Sequence, residues 1–224
     1  MIIHGTIRAV VAGMFGIWLL QMTGCATPHE VAQTSLDDLQ KLNVPAKTAE
    51  DEAFMKDVGF DSLEDTADSQ LGSPLRLYNV PLFQLQQFKQ GDDPEKLLAD
   101  TGRVIFPLMV KGQFRSSFTV MDSSLTLTKG WQGSRVTRTG FKRLIRKIEQ
   151  LKPSSSSFIV LIAPLRLLLL GDHTAGRLVL TAIEDNPHFT LKAGEEHDAA
   201  EFFGKIASDA KYIYERDKQM RRNP

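Results

Sequence analysis

The sequence predicts an α+β domain: an antiparallel sheet built from hairpins, helices packed on it, and an acidic helical arm in front. Three features carry this expectation. Apolar runs separated by short turns recur, as in RVIFPLMV-KG-QFRSSFTVM around Lys111-Gly112, and strands joined by tight turns pair antiparallel. The segment GFKRLIRKIEQLK places Phe141, Leu144, Ile145, Ile148 and Leu151 at helical spacing, which gives a helix one buried face. Between Pro28 and Gly72 eleven acids face three lysines, and hydroxyls paired with acids three residues on mark helix starts there. The expected divisions are a signal segment 1–24, a tether and acidic arm 25–70, the α+β domain 71–216 and a polar tail 217–224.

The elements follow in order. ATPHEVAQT reads as a short tether. SLDDLQKLN is a helix capped by Ser35, with Asp38 three residues on and a stop at Asn43 before Pro45; TAEDEAFMKDVG is a second, capped by Thr48 and ended at Gly59. Neither shows a wide apolar stripe, so both are expected to lie on the domain rather than inside it. LRLYNVPLFQL reads as extended, with Pro81 at a bend. DDPEKLLADTG reads as a short helix opened by Pro94 and closed by Gly102. Phe114, Ser116, Phe118 and Val120 then alternate with shorter polar residues only in part, and SLTLTKGWQGSRVTR adds a strand pair with Leu125 and Leu127 on one side. The basic helix follows, and PSSSS ends it. FIVLIAPLRLLLL is strand-like, interrupted by Pro164 and Arg166; GDHTAG turns the chain, and RLVLTAI returns as a hairpin with a longer loop. The last helix starts at Asp198-Ala-Ala-Glu201 and carries Phe202, Phe203, Ile206, Ala210, Ile213 and Tyr214 on one side.

The one cysteine lies in GIWLLQMTGCATP. A single basic residue, Arg8, precedes an uncharged run from Ala9 to Leu20, and small residues follow. That is the layout of a secretory signal, and the run is shorter than the ~20 residues a permanent span requires. Met22-Thr23-Gly24-Cys25 resembles the lipobox of bacterial lipoproteins. The resemblance implies a diacylglycerol thioether on Cys25, cleavage before it and acylation of the new terminus. It places the protein in the cell envelope, held in the membrane by its lipid. Ala26, where Asp would resemble an inner-membrane retention signal, favours the outer membrane by the same analogy.

Formal charge balances over the whole chain, 27 basic residues against 27 acidic, which gives no case for a nucleic-acid partner. The charge is segregated. The acidic block nets −8, and Lys111 to Lys152 holds ten bases against Asp122 and Glu149, a net of +8. The basic face of the helix, Lys142, Arg143, Arg146 and Lys147, is therefore expected to contact something anionic: the chain's own acidic arm, or a lipid or glycan surface of the envelope. No complete catalytic set is present. Gly-x-Ser-x-Gly, phosphate-loop, zinc and calcium patterns are absent, and no cofactor or metal is implied. Asp100-Thr101-Gly102 resembles the core of aspartic proteases, and LLLLGD the hydrophobic-hydrophobic-Gly element of that family. The expected function is non-catalytic binding or accessory work by a lipid-anchored envelope protein. An aspartic-protease-like envelope hydrolase is the alternative.

Overall fold

A computed structural model describes residues 27–41, 60, 64–122, 131–136 and 139–222. Cys25, the segment Thr48–Gly59, and Leu125 and Leu127 lie outside the described residues. The fold is α+β: a nine-stranded mixed sheet, mostly antiparallel, with helices on both faces. The strands are β1 (Ser69–Leu71), β2 (Leu75–Asn79), β3 (Ala99–Val110), β4 (Gln113–Asp122), β5 (Trp131–Val136), β6 (Phe158–Ile162), β7 (Leu167–Thr174), β8 (Arg177–Ala182) and β9 (Glu196–Asp198). The helices are α1 (Pro28–Lys41), α2 (Glu64–Ala67), α3 (Leu82–Leu85), α4 (Thr139–Gln150) and α5 (Ala199–Arg222).

The sheet order is β5-β4-β3-β2-β6-β7-β8-β9, with β1 on β3 beyond the end of β2. Strands β2 to β5 form one antiparallel meander and β6 to β9 another. They join through a single parallel pair, with Arg76 opposite Phe158 and Asn79 opposite Leu161. Hairpin counting along the sequence does not reveal this pair, because a parallel pair needs a long crossover.

Alternation along the strands sorts the core into two faces. Val104, Phe106 and Leu108 of β3 pack with Phe118 and Val120 of β4 beneath α1. On the same face, Phe158, Val160 and Ile162 of β6 and Leu167 and Leu169 of β7 pack under α5 and α3. The other face carries Leu75, Leu77, Ile105 and Ile159 against Ile145 and Ile148 of α4. The central strands are thus covered on both sides, which is why FIVLI and LLLL read as unbroken apolar runs.

Several expectations are corrected. Helix α1 begins at Pro28, so Ser35 is not its cap; the Ser35 hydroxyl donates to the Val31 carbonyl (2.9 Å). The cap is Thr27, whose Oγ1 accepts from Glu30 N–H while Glu30 returns a bond to Thr27 N–H (2.6 Å), a complete capping box. Those backbone and hydroxyl donors from Thr27 hold the Glu30 carboxyl below its usual range. Nor does α1 merely lie on the domain: Ala32, Leu36 and Leu39 are fully buried, a narrow i, i+4, i+7 stripe sufficient for a helix with one contact line. LRLYNVPLFQL is strand β2 only to Asn79, then helix α3 after Pro81. FIVLIAPLRLLLL is itself a hairpin, β6 and β7, with Pro164 in a 3-10 turn and Arg166 in the left-handed region. The loop expected in GDHTAG shrinks to a two-residue turn, Ala175-Gly176, both at positive φ, the backbone that tight hairpins favour. Gly171 faces Phe158 across β6–β7, and any Cβ there would collide with the ring. Asp198 caps α5 as expected, accepting from Ala200 and Glu201 N–H; the helix continues through the expected tail to Arg222.

Burial of α1 generates a prediction. Leu36→Ala should cost about 2–4 kcal/mol, the range for a buried leucine truncated to leave a cavity, measured by urea unfolding. A loss below about 0.5 kcal/mol, the scale of surface substitutions, would show that α1 is not part of the core.

Candidate functional site

A cleft with a volume of about 650 Å3 lies on the α4 face. Its walls are the C-terminal half of α4, the β3–β4 hairpin and the link between β1 and β2. Leu75, Phe114 and Ile148 form the buried part, each at most 5% exposed. Arg115, Arg146, Glu149 and Gln150 supply the polar groups. An apolar pocket of this size with a few converging polar groups is the usual form of a small-ligand site.

A defect in the sheet builds it. Leu108 pairs with Ser116 and Met109 with Phe114, so Arg115 is an extra residue in β4. A bulge of this kind shifts the side-chain alternation by one. Phe114 and Arg115, neighbours in sequence, therefore both line the cleft. The partial alternation of Phe114, Ser116, Phe118 and Val120 is explained accordingly: Phe114 packs on the α4 side, Phe118 and Val120 on the α1 side.

Burial pushes the Glu149 carboxyl up to about 7, against the opposing pull of the Arg146 charge. At neutral pH this group is therefore divided between acid and carboxylate. Desolvation wins over a neighbouring guanidinium because Glu149 sits on the wall of an apolar cleft while Arg146 reaches solvent.

The expected site residues separate. Arg146 is exposed at the cleft. Lys147 is held by Glu184 (Nζ–Oε1 2.6 Å). The backbone of Lys142 and Arg143 lies in α4; their side chains, like Cys25, are outside the described residues. The expected pairing of the basic helix with the acidic arm is not made by α1, which packs on the opposite face of the sheet. Arg115 and Glu149 were not expected as site residues. The incomplete alternation of β4 and the lone acid in a basic helix were the signals available.

Asp100 is in strand β3, not after a helix: PEKL forms a 3-10 turn, and β3 begins at Ala99. Asp-Thr-Gly is a bulge against β2. Leu77 pairs with Arg103 and Tyr78 with Asp100. Thr101 Oγ1 donates to the Leu77 carbonyl (2.6 Å), and Gly102, at φ 63°, donates its N–H to Asp100 Oδ1 (2.8 Å). Asp100 Oδ2 meets the Arg76 guanidinium (3.1 Å). Its partner is a cation, where a catalytic dyad needs a second carboxylate.

A smaller cleft of about 380 Å3 opens on the α1 face, over Arg76, Tyr78 and Phe158 and beside Thr27. Next to it the PSSSS segment clasps Asp172. Ser154 and Ser157 donate to Oδ2 (2.7 Å each), Ser156 to Oδ1 (3.0 Å), and His173 N–H to Oδ1 (2.8 Å). Burial works to raise the Asp172 carboxyl, but these four donors outweigh it and hold the group below its usual range. Each hydroxyl donates a hydrogen bond to the carboxylate, so the cluster ties the loop to β7. The histidines are dispersed: His173 pairs with Glu95 (3.1 Å), and His188 lies 3.9 Å from Asp209. Among the described residues no three His, Cys, Asp or Glu converge as a metal site.

No protein-family model, curated protein or solved structure matches the chain.

Two pH dependences follow. Glu149 has a folded pKa above its unfolded value of about 4.3, so stability is full below that value and declines as pH rises toward about 7. Glu149→Gln should leave the melting temperature unchanged near pH 4 and raise it at pH 8; equal shifts at both would refute the desolvated carboxyl. Asp172 has the opposite sign. Its stabilisation is present above the unfolded pKa of about 3.9 and is lost as pH falls through the lower folded value. The wild type should exceed Asp172→Asn at pH 7, with the gap closing in acid. A gap independent of pH would mean that the clasp does not depend on charge.

Proposed function

We propose that this chain is a lipid-anchored protein of the bacterial envelope, with a non-catalytic binding or accessory role. The observation that carries the anchor is Met22-Thr23-Gly24-Cys25, after a charged start and a short uncharged run. The membrane is the first partner, through acyl chains on Cys25. At ~0.8 kcal/mol per buried CH2, two or more chains are needed for stable attachment, which is what lipobox processing delivers. The outer membrane is favoured over the inner by Ala26.

Helix α1 supports this arrangement. Its capping box begins at Thr27, two residues after Cys25. Two residues span at most ~7 Å, so the expected tether is nearly absent and the folded domain stands at the lipid surface. The binding role rests on the basic face of α4 and the cleft beside it. The counterpart is an anionic lipid, glycan or protein of the envelope. The hydrolase alternative is not favoured, because Asp100 is paired with Arg76.

Two experiments test the two halves. Cys25→Ala should leave the chain unprocessed or released from membranes; a variant that keeps the mature mass and fractionates with membranes would remove the anchor. Lys142, Arg143 and Arg146 changed together to Glu should abolish co-sedimentation of the Cys25→Ala chain with phosphatidylglycerol vesicles at low salt. Lys147 is left in place because it holds Glu184. Exposed pairs contribute only about 0–1 kcal/mol each and are screened by salt, so wild-type binding should weaken as ionic strength rises. Unchanged sedimentation of the triple variant would mean that the face is merely solvated.

A further inference from the structure

We infer that the cleft between α4 and the β3–β4 hairpin binds a small amphiphilic anion: one carboxylate or sulfonate-like head on an apolar body of roughly a medium-length alkyl chain. The inference deepens the binding role proposed above and rests on it, but does not depend on the lipid anchor.

Two independent features of the cleft support this ligand class. The first is its apolar part. Leu75, Phe114 and Ile148 are core residues of the α4 face, and Met109 and Pro107 continue that surface into the opening. A volume of about 650 Å3 lies within the range of small-molecule pockets, and the walls offer an alkyl body a place out of water. The second is the bulge in β4. It brings Arg115 to the same side as Phe114, so two guanidinium groups, Arg115 from the sheet and Arg146 from the helix, line one cleft. Guanidinium groups suit carboxylate-like anions because their donors lie in a planar fork.

Glu149 then decides how the anion is received. Among the described residues, Arg146 on its own helix and Arg115 from β4 are the charged groups that line the cleft with it, and the β1–β2 link and β3 contribute none there. As a neutral acid Glu149 presents an O–H donor and leaves the Arg146 guanidinium to the ligand. As a carboxylate it repels the ligand and competes for Arg146. Anion binding therefore favours the protonated form and takes up a proton above the titration midpoint.

The test is calorimetric titration of the full chain carrying Cys25→Ala with octanoate, octanesulfonate and 1-octanol. Octanesulfonate keeps its charge at all working pH values, so any pH dependence belongs to the protein. Both anions are expected to bind at least about tenfold more tightly than the alcohol. Arg146→Ala, an exposed position, should remove that preference while circular dichroism stays unchanged and melting is unaltered near pH 4, where Glu149 is protonated with or without the guanidinium. Octanesulfonate affinity should fall between about pH 6 and about pH 8.5, and Glu149→Gln should abolish the fall. Octanol binding as tightly as octanesulfonate, or an Arg146→Ala variant that keeps the preference, would overturn the inference. So would an unaltered pH profile in Glu149→Gln. If no probe binds while phosphatidylglycerol vesicles still do, this inference falls and the binding role stands. If the vesicles are also ignored, both fall.

Discussion

The parallel pair between β2 and β6 is the constraint on which the rest of the structure depends. Each meander pairs strands that are neighbours in sequence, with short turns at β3–β4, β6–β7 and β7–β8. The first meander has α1 on one face and α4 on the other, whereas the second has α3 and α5 on one face and reaches α4 through Ile159 and Leu170. Setting Arg76 beside Phe158 and Leu77 beside Ile159 fuses the two meanders into one sheet. Leu75 and Leu77 then share a core with Ile159 under α4, and Tyr78 packs edge-to-face on Phe158 (5.0 Å) on the other side. The chain must travel the whole first meander and α4 before β6 can pair with β2. α4 therefore closes one face, and α1, α3 and α5 are left for the other.

The same geometry explains how the charge blocks are disposed. Opposite charges distributed in sequence need not meet in space. Helix α1 of the acidic block and the basic helix α4 are separated by the sheet. At one point the blocks do meet, Asp68 of the acidic block lying 3.6 Å from Lys111 of the basic one, while Lys147 is held by Glu184 and Arg76 by Asp100. Such exposed pairs add little stability individually. The consequential charges are those taken partly out of water. Asp172 is compensated by four donors. Glu149 is not, and its proton affinity rises. That contrast separates a carboxylate that secures a loop from one poised to change state at the edge of a cleft.

The two bulges differ in what the sequence shows of them. Asp-Thr-Gly looks like chemistry, but the positive φ of Gly102 and the Thr101–Leu77 bond show a register correction between β2 and β3. The β4 bulge is silent in the sequence, apart from broken alternation, yet it places Arg115 at a site. A single inserted residue is enough to move a charged side chain across a sheet, because strand side chains alternate with a period of two.

The α+β class, the first hairpin, helix α4 and the cap of α5 were all legible in the sequence, since each depends on interactions within about a dozen residues. The signal-like start and Cys25 are likewise a matter of local order in the chain. The buried role of α1 was not legible: Ala32, Leu36 and Leu39 form a thin stripe among acids, and only the apolar surface of β3 and β4 gives it a place. The split of FIVLIAPLRLLLL into two strands was hidden for a related reason, as strands covered on both faces lose their alternation. The parallel pair, the face each helix covers, and the meeting of Arg115, Arg146 and Glu149 were decided by tertiary structure alone. Each joins residues far apart in the chain, and no local pattern encodes which of many compatible partners a strand or helix face will find.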